Sequence, residues 1–188
     1  DVEMNGDVRS FTWATTGPPV PAGSNDIELT ATHEQLHAIG SGHPIYFYAM
    51  IWPQGRFPED MMHDRCISPD DRMFLRTVYP AAPAASSISG TVSVAAGGTA
   101  DRAVIVATDS NGVPQATTTT AANGAYTINV PPGTNYSVTA HHHRNSTYFG
   151  AISFAGATPF VTSTTATGVN ASANVAGVNL TVTNGGTG

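Results

Sequence analysis

Four side chains with metal and acid–base chemistry crowd into the stretch THEQLHAIGSGH, residues 32 to 43. His33 and His37 are four residues apart, so on a helix they lie on one face, one turn apart. Two imidazoles in that register can ligate one zinc ion. Glu34 follows the first ligand directly and is placed to take a proton from a water. Gly40 can adopt the positive φ that ends a helix. The turn it makes can return His43 as a third ligand. Three histidines and one open position make a catalytic zinc arrangement, in which the metal lowers the pKa of a water to about 7 and polarises a carbonyl. A helix carrying HExxH alone is a common coincidence; HExxHxxGxxH fixes five positions.

The site needs a helix. Ser24, Asn25 and Asp26 are each able to cap one, which then runs through IELTATHEQLHAI with Ile27, Leu29, Leu36 and Ile39 as candidate buried positions. GPPVPAGSND before it is turn chemistry, and DVEM at residues 1–4 is a short extended candidate. A second helix is predicted over SPDDRMFLRTVY. Ser68 caps it, Pro69 takes the first helical position, Asp71 completes a capping box, and Pro80 stops it. Phe74, Leu75 and Val78 would share its buried face.

Beyond PAAPAASS (residues 80–87) the grammar changes. Thr, Ala, Val, Gly and Asn dominate, and apolar residues alternate with period two. Ile88, Val92 and Val94 share one face, as do Tyr126, Ile128 and Val130; Tyr136, Val138 and Ala140; and Val178, Leu180 and Val182. With turn signals at DSNG, NG and PPGT, about seven short strands are expected, as in a β-sandwich. The domain organisation read from this is residues 1–79, a Pro/Ala linker at 80–87, and residues 88–188.

Only 11% of the 188 residues are charged, and the net charge is −6. That argues against binding to a phosphate backbone, so no nucleic-acid partner is expected. No apolar run reaches transmembrane length. Cys66 is the single cysteine, which excludes an internal disulfide. His141, His142 and His143 alternate across a strand, so at most two of them can converge. A polar strand end is the plainer account of that tract.

HEQLHAIGSGH resembles the zinc-binding signature of the metzincin metalloproteases, and its surroundings are most similar to the matrixin branch. DVEMNGDVRSFTW resembles the strand and following segment before the active-site helix. EDMMHDRC resembles the methionine turn, with Met62 as the methionine beneath the metal. SPDDRMFLRTVYP resembles the closing helix of such a domain. The resemblance covers residues 1–80 and implies a Zn2+-dependent endopeptidase, with His33, His37 and His43 as ligands, Glu34 as base and a peptide or protein as substrate. Only the C-terminal part of such a domain is represented. The rest of its sheet would come from an upstream stretch, a separate N-terminal fragment or a neighbouring subunit. Residues 87 to 183, with SGTV, NGAYTINV and PPGTNYSV, resemble the carboxypeptidase regulatory-like family of transthyretin-like β-sandwiches, which implies a non-catalytic spacer or adhesion module. The fold class expected is therefore an α+β partial metzincin-like region followed by an all-β sandwich of transthyretin or Ig type, secreted or at the cell surface. A second functional reading is a surface structural or adhesive subunit whose protease half is a vestigial zinc-binding scaffold.

Overall fold

The computed structural model describes residues 6, 12–15, 20–43, 67–80, 83–141 and 163–183. The DVEM strand, Met62, Cys66, His142 and His143 lie outside them. Among the described residues the protein is mostly β-sheet, with two helices. A parallel pair of two-residue strands, β1 (Trp13–Ala14) and β2 (Asn25–Asp26), leads into α1 (Ile27–Ala38); α2 spans Pro69–Val78. Seven strands follow: β3 (Ser86–Val94), β4 (Val104–Thr108), β5 (Pro114–Thr119), β6 (Ala125–Val130), β7 (Gly133–His141), β8 (Thr164–Ala171) and β9 (Leu180–Val182).

These seven form two sheets, one ordered β6-β3-β9 and the other β5-β4-β7-β8. β3 pairs antiparallel with β6 and parallel with β9. The apolar alternation read from the sequence is the inward alternation of the strands. Ile88, Val92, Val130, Val138 and Val182 are fully enclosed, with Ile105 from β4 and Ile128 from β6. Each such side chain contributes about 1.5–3 kcal/mol through burial. Two tyrosines close the layer with their hydroxyls: Tyr126 donates to the Val178 carbonyl at 2.6 Å and Tyr136 to the Pro131 carbonyl at 2.8 Å. Burial pushes the Tyr126 phenol up to about 12, so it remains a donor through the neutral range.

Both helices are capped by side chains the sequence singled out. Of the three candidates before α1, Asp26 is the cap; its Oδ1 accepts from the amides of Glu28 at 3.0 Å and Leu29 at 3.1 Å. At α2 the Asp71 amide donates to Ser68 Oγ at 3.1 Å, and Asp71 Oδ2 accepts the Ser68 amide at 3.0 Å. This is the reciprocal capping box.

The buried faces of the helices differ from expectation. In α1 only Leu36 is buried, whereas Ile27 and Leu29 are half-buried and Ile39 is exposed. Ile39 is the C-cap with φ −96° and ψ 11°, so its side chain has already left the helical stripe. In α2 the deeply buried apolar residue is Met73, which joins the sandwich core, while Val78 is 46% exposed. Leu75 instead packs on Leu36 of α1. Positions 73 and 75 point about 200° apart on a helix, because α2 is held from two sides rather than lying on one surface. Asp70 Oδ1 accepts the Thr117 amide of β5 at 2.6 Å, and Asn129 Nδ2 donates to Thr77 Oγ1 at 3.2 Å. The ordered strand β3 begins at Ser86, two residues before the expected start of the sandwich.

Candidate metal centre

α1 carries His33 and His37 into register one turn apart. Its end then folds back through two local hydrogen bonds: the Gly40 amide donates to the His37 carbonyl at 2.9 Å and the Ser41 amide to the Leu36 carbonyl at 3.0 Å. This pairing is a Schellman turn, which needs a left-handed residue at its first position beyond the cap. Gly40 supplies it with φ +98°. The turn returns the chain so that His43 meets the two helical histidines.

The three Nε2 atoms form a nearly equilateral triangle. His33 to His37 is 3.2 Å, His33 to His43 is 3.3 Å and His37 to His43 is 3.0 Å. A tetrahedral zinc with Zn–N distances of about 2.0–2.1 Å holds its nitrogens about 3.3–3.4 Å apart. The triangle is therefore close to one face of such a tetrahedron. The His37 ring is oriented by its other nitrogen, since Nδ1 lies 2.8 Å from the Ser41 carbonyl. A carbonyl only accepts, so Nδ1 carries the proton and Nε2 presents a lone pair to the triangle. Hydrogen bonds alone cannot satisfy the arrangement. With His37 Nε2 as an acceptor, protons on His33 and His43 would both be used on it, and the third edge would set donor against donor. A cation at the centre satisfies all three, so these residues fit a metal.

His33 and His37 are half-buried, His43 and Glu34 exposed. The triangle thus opens to solvent on the side of His43. Burial lowers the pKa of His43, the neighbouring His37 and His33 add to that, and the negative charge of Glu34 opposes it. Glu34 is thereby close enough for its charge to be felt at the triangle. Of the site residues read from the sequence, His33, His37 and His43 are gathered at one place and Glu34 follows His33 on α1; the turn methionine Met62 lies outside the described residues. The Ser41 carbonyl was not foreseen. It acts through the backbone, and the only sequence cue to it is its place after the turn glycine.

Elsewhere, His141 ends β7 with Nδ1 3.0 Å from Ser163 Oγ, and burial lowers its pKa. Among the described residues only His33, His37 and His43 form a group able to hold a metal ion.

No family model matches the chain, and no curated protein does. Twenty chains of solved structures match it. Among them, the Bacillus anthracis TIE protein is 17% identical with a TM-score of 0.34, covering 53% of this chain and 16% of that one. Klebsiella pneumoniae 5-hydroxyisourate hydrolase is 19% identical with a TM-score of 0.37, covering 54% of this chain and 92% of that one. BcpA, the major pilin subunit of Bacillus cereus, is 16% identical with a TM-score of 0.34, covering 55% and 31%. The chain therefore spans less than a third of the TIE protein and of BcpA.

Proposed function

We propose that this chain carries the metal-binding part of a secreted or cell-surface zinc endopeptidase of the metzincin type, followed by a β-sandwich. The observation that supports this reading is the histidine triangle, with edges of 3.0–3.3 Å, beside an exposed glutamate. His33, His37 and His43 would hold Zn2+. When bound, zinc polarises a scissile carbonyl and acidifies a water. Glu34 would take the proton from the attacking water and pass it to the departing amine. His37, fixed by Ser41, holds the ligand geometry through turnover. Among the described residues no helix is long and apolar enough to cross a membrane.

Metal analysis and cleavage of an unstructured protein such as casein test this reading together. The expected result is one zinc per chain and chelator-sensitive cleavage. In Glu34→Gln zinc is retained, while the rate falls by about 10²–10⁴, the usual contribution of a general base. A folded sample that takes up no zinc, or a Glu34→Gln variant that cleaves at the wild-type rate, overturns it.

The second reading, a surface structural or adhesive subunit with a zinc-stabilised scaffold, draws on β8. Among the described residues this strand ends its sheet and is largely polar and half-exposed, so its open edge can pair with another chain. Zinc-loaded oligomers without proteolysis would favour it.

A further inference from the structure

A groove of about 450 Å³ takes in His43 of the histidine triangle. Ser41, Gly42 and His43, Phe74 of α2 and Thr117 to Thr119 of β5 all line it. It thus joins a metal-binding side chain to the rim of the sandwich.

That rim is an unfinished sheet. Among the described residues β5 is the outermost strand in the order β5-β4-β7-β8, so half of its backbone groups have no strand beside them. Their direction is fixed by one contact. The Thr117 amide leaves the sheet and donates to Asp70 Oδ1 at 2.6 Å, so the backbone groups of Thr117 face outward. The Thr120 amide turns the other way, to the Ala103 carbonyl at 2.9 Å. The period of two therefore directs the amide and carbonyl of Thr119, with the Thr117 carbonyl, away from β4. Asp70 takes up the Thr117 amide, and Thr117, Thr118 and Thr119 line the groove.

Side-chain chemistry narrows the occupant. The groove is lined by threonines, the Asn129 amide and the carboxylates of Asp70 and Asp71 together with Met73, Phe74 and Ile128, and no arginine or lysine among the described residues lines it. Away from the metal site, an anionic ligand would meet two carboxylates and no cationic side chain on these walls. A chain that offers alternating backbone donors and acceptors, with small or apolar side chains, matches both the edge and the floor.

We propose that this groove is the substrate channel of the metal site. An extended peptide lies in it, pairing its backbone with the outer edge of β5 at Thr117 and Thr119, so that the sandwich supplies part of the cleft. This rests on the peptidase reading and adds to it a role for the second half of the chain.

Backbone amide spectra of zinc-loaded Glu34→Gln, titrated with an unstructured casein-derived peptide, test the channel without turnover. The expected result is shifts at Ser41 to His43 and at Thr117 to Thr119, with slowed hydrogen exchange at the Thr119 amide. Thr119→Pro deletes that outward amide without removing a bond to β4. Peptide affinity should then fall about tenfold, the effect of one backbone hydrogen bond at the strong end of its range, with zinc content unchanged. Peptide shifts confined to other surfaces, undiminished binding by Thr119→Pro, or no binding at all each overturn the channel. If Thr119→Pro does not fold, the shift and exchange map of the Glu34→Gln protein decides alone. Wild-type protein that binds zinc and cleaves casein while the map excludes β5 would leave the peptidase standing and remove only the channel.

Discussion

At His37 the two ring nitrogens have separate duties: Nδ1 donates to the Ser41 carbonyl, and Nε2 joins the triangle. The arrangement depends on Gly40, whose positive φ turns the chain so that Ser41 comes up against the ring. A β-branched residue at φ +98° is strained by about 1–2 kcal/mol. Gly40→Val should therefore open the turn, move the Ser41 carbonyl away from His37 and misplace His43. Zinc affinity should drop by about 10–100-fold, the loss typical of a broken outer contact, as measured by competition with a chromogenic chelator. Unchanged affinity would show that His43 reaches the metal by another route. The convergence of the three histidines was legible in the sequence because helical spacing and a turn glycine are local signals. The oriented carbonyl was not, since every residue has one.

Among the elements, β3 carries the tightest constraint. A Cβ at Gly90 would run into the Val178 carbonyl and press on the Tyr126 ring, at 3.2 Å from its Cε1. That same carbonyl accepts the Tyr126 hydroxyl. Gly90→Ala thus sets a methyl against a backbone atom that cannot yield without disturbing the Tyr126 hydrogen bond. A loss of about 1–3 kcal/mol or more is expected from such overpacking, measured by denaturant unfolding, whereas an unaltered midpoint would mean that the 175–178 segment moves aside freely. Strands with a clean alternation, such as β6 and β7, were readable from Tyr126, Ile128, Val130 and their counterparts. β4 was less so: Val104 to Ala107 is buried on both faces, and a continuous apolar run carries no period. β8, TTATGVNA, offers almost no apolar signal and is held by its pairing with β7.

For the whole molecule, α2 is the clasp. Met73 belongs to the sandwich core, Leu75 meets α1, and Asp70 reaches β5. The Asp70–Thr117 contact joins residues 47 apart, so no local pattern announced it. Burial raises the Asp70 carboxyl to about 7, partly countered by the hydrogen bonds from Thr117. The unfolded carboxyl titrates near its ordinary value of 3.8, so between about pH 4 and pH 7 the folded state binds more protons than the unfolded one. Stability from this group is complete below the lower value and is lost as pH rises through the upper. Asp70→Asn keeps an oxygen to accept the Thr117 amide but never ionises. It should flatten that decline and be more stable than wild type at pH 8, on the order of 2 kcal/mol once the residue's partial solvent contact is allowed for. Melting temperatures at pH 5 and pH 8 decide the matter; an equal decline in both proteins would place the pH dependence elsewhere.

The parallel pairing of β3 with β9 also sets an order in time. Ser93 Oγ and Thr181 Oγ1 sit 3.1 Å apart although 88 residues separate them in the chain. At synthesis rates of about 5–20 residues per second, β3 waits roughly 4–18 s for its partner to be made. The histidine triangle needs only an eleven-residue span, from His33 to His43. A nascent chain therefore holds all three histidines of the triangle well before its sandwich can close.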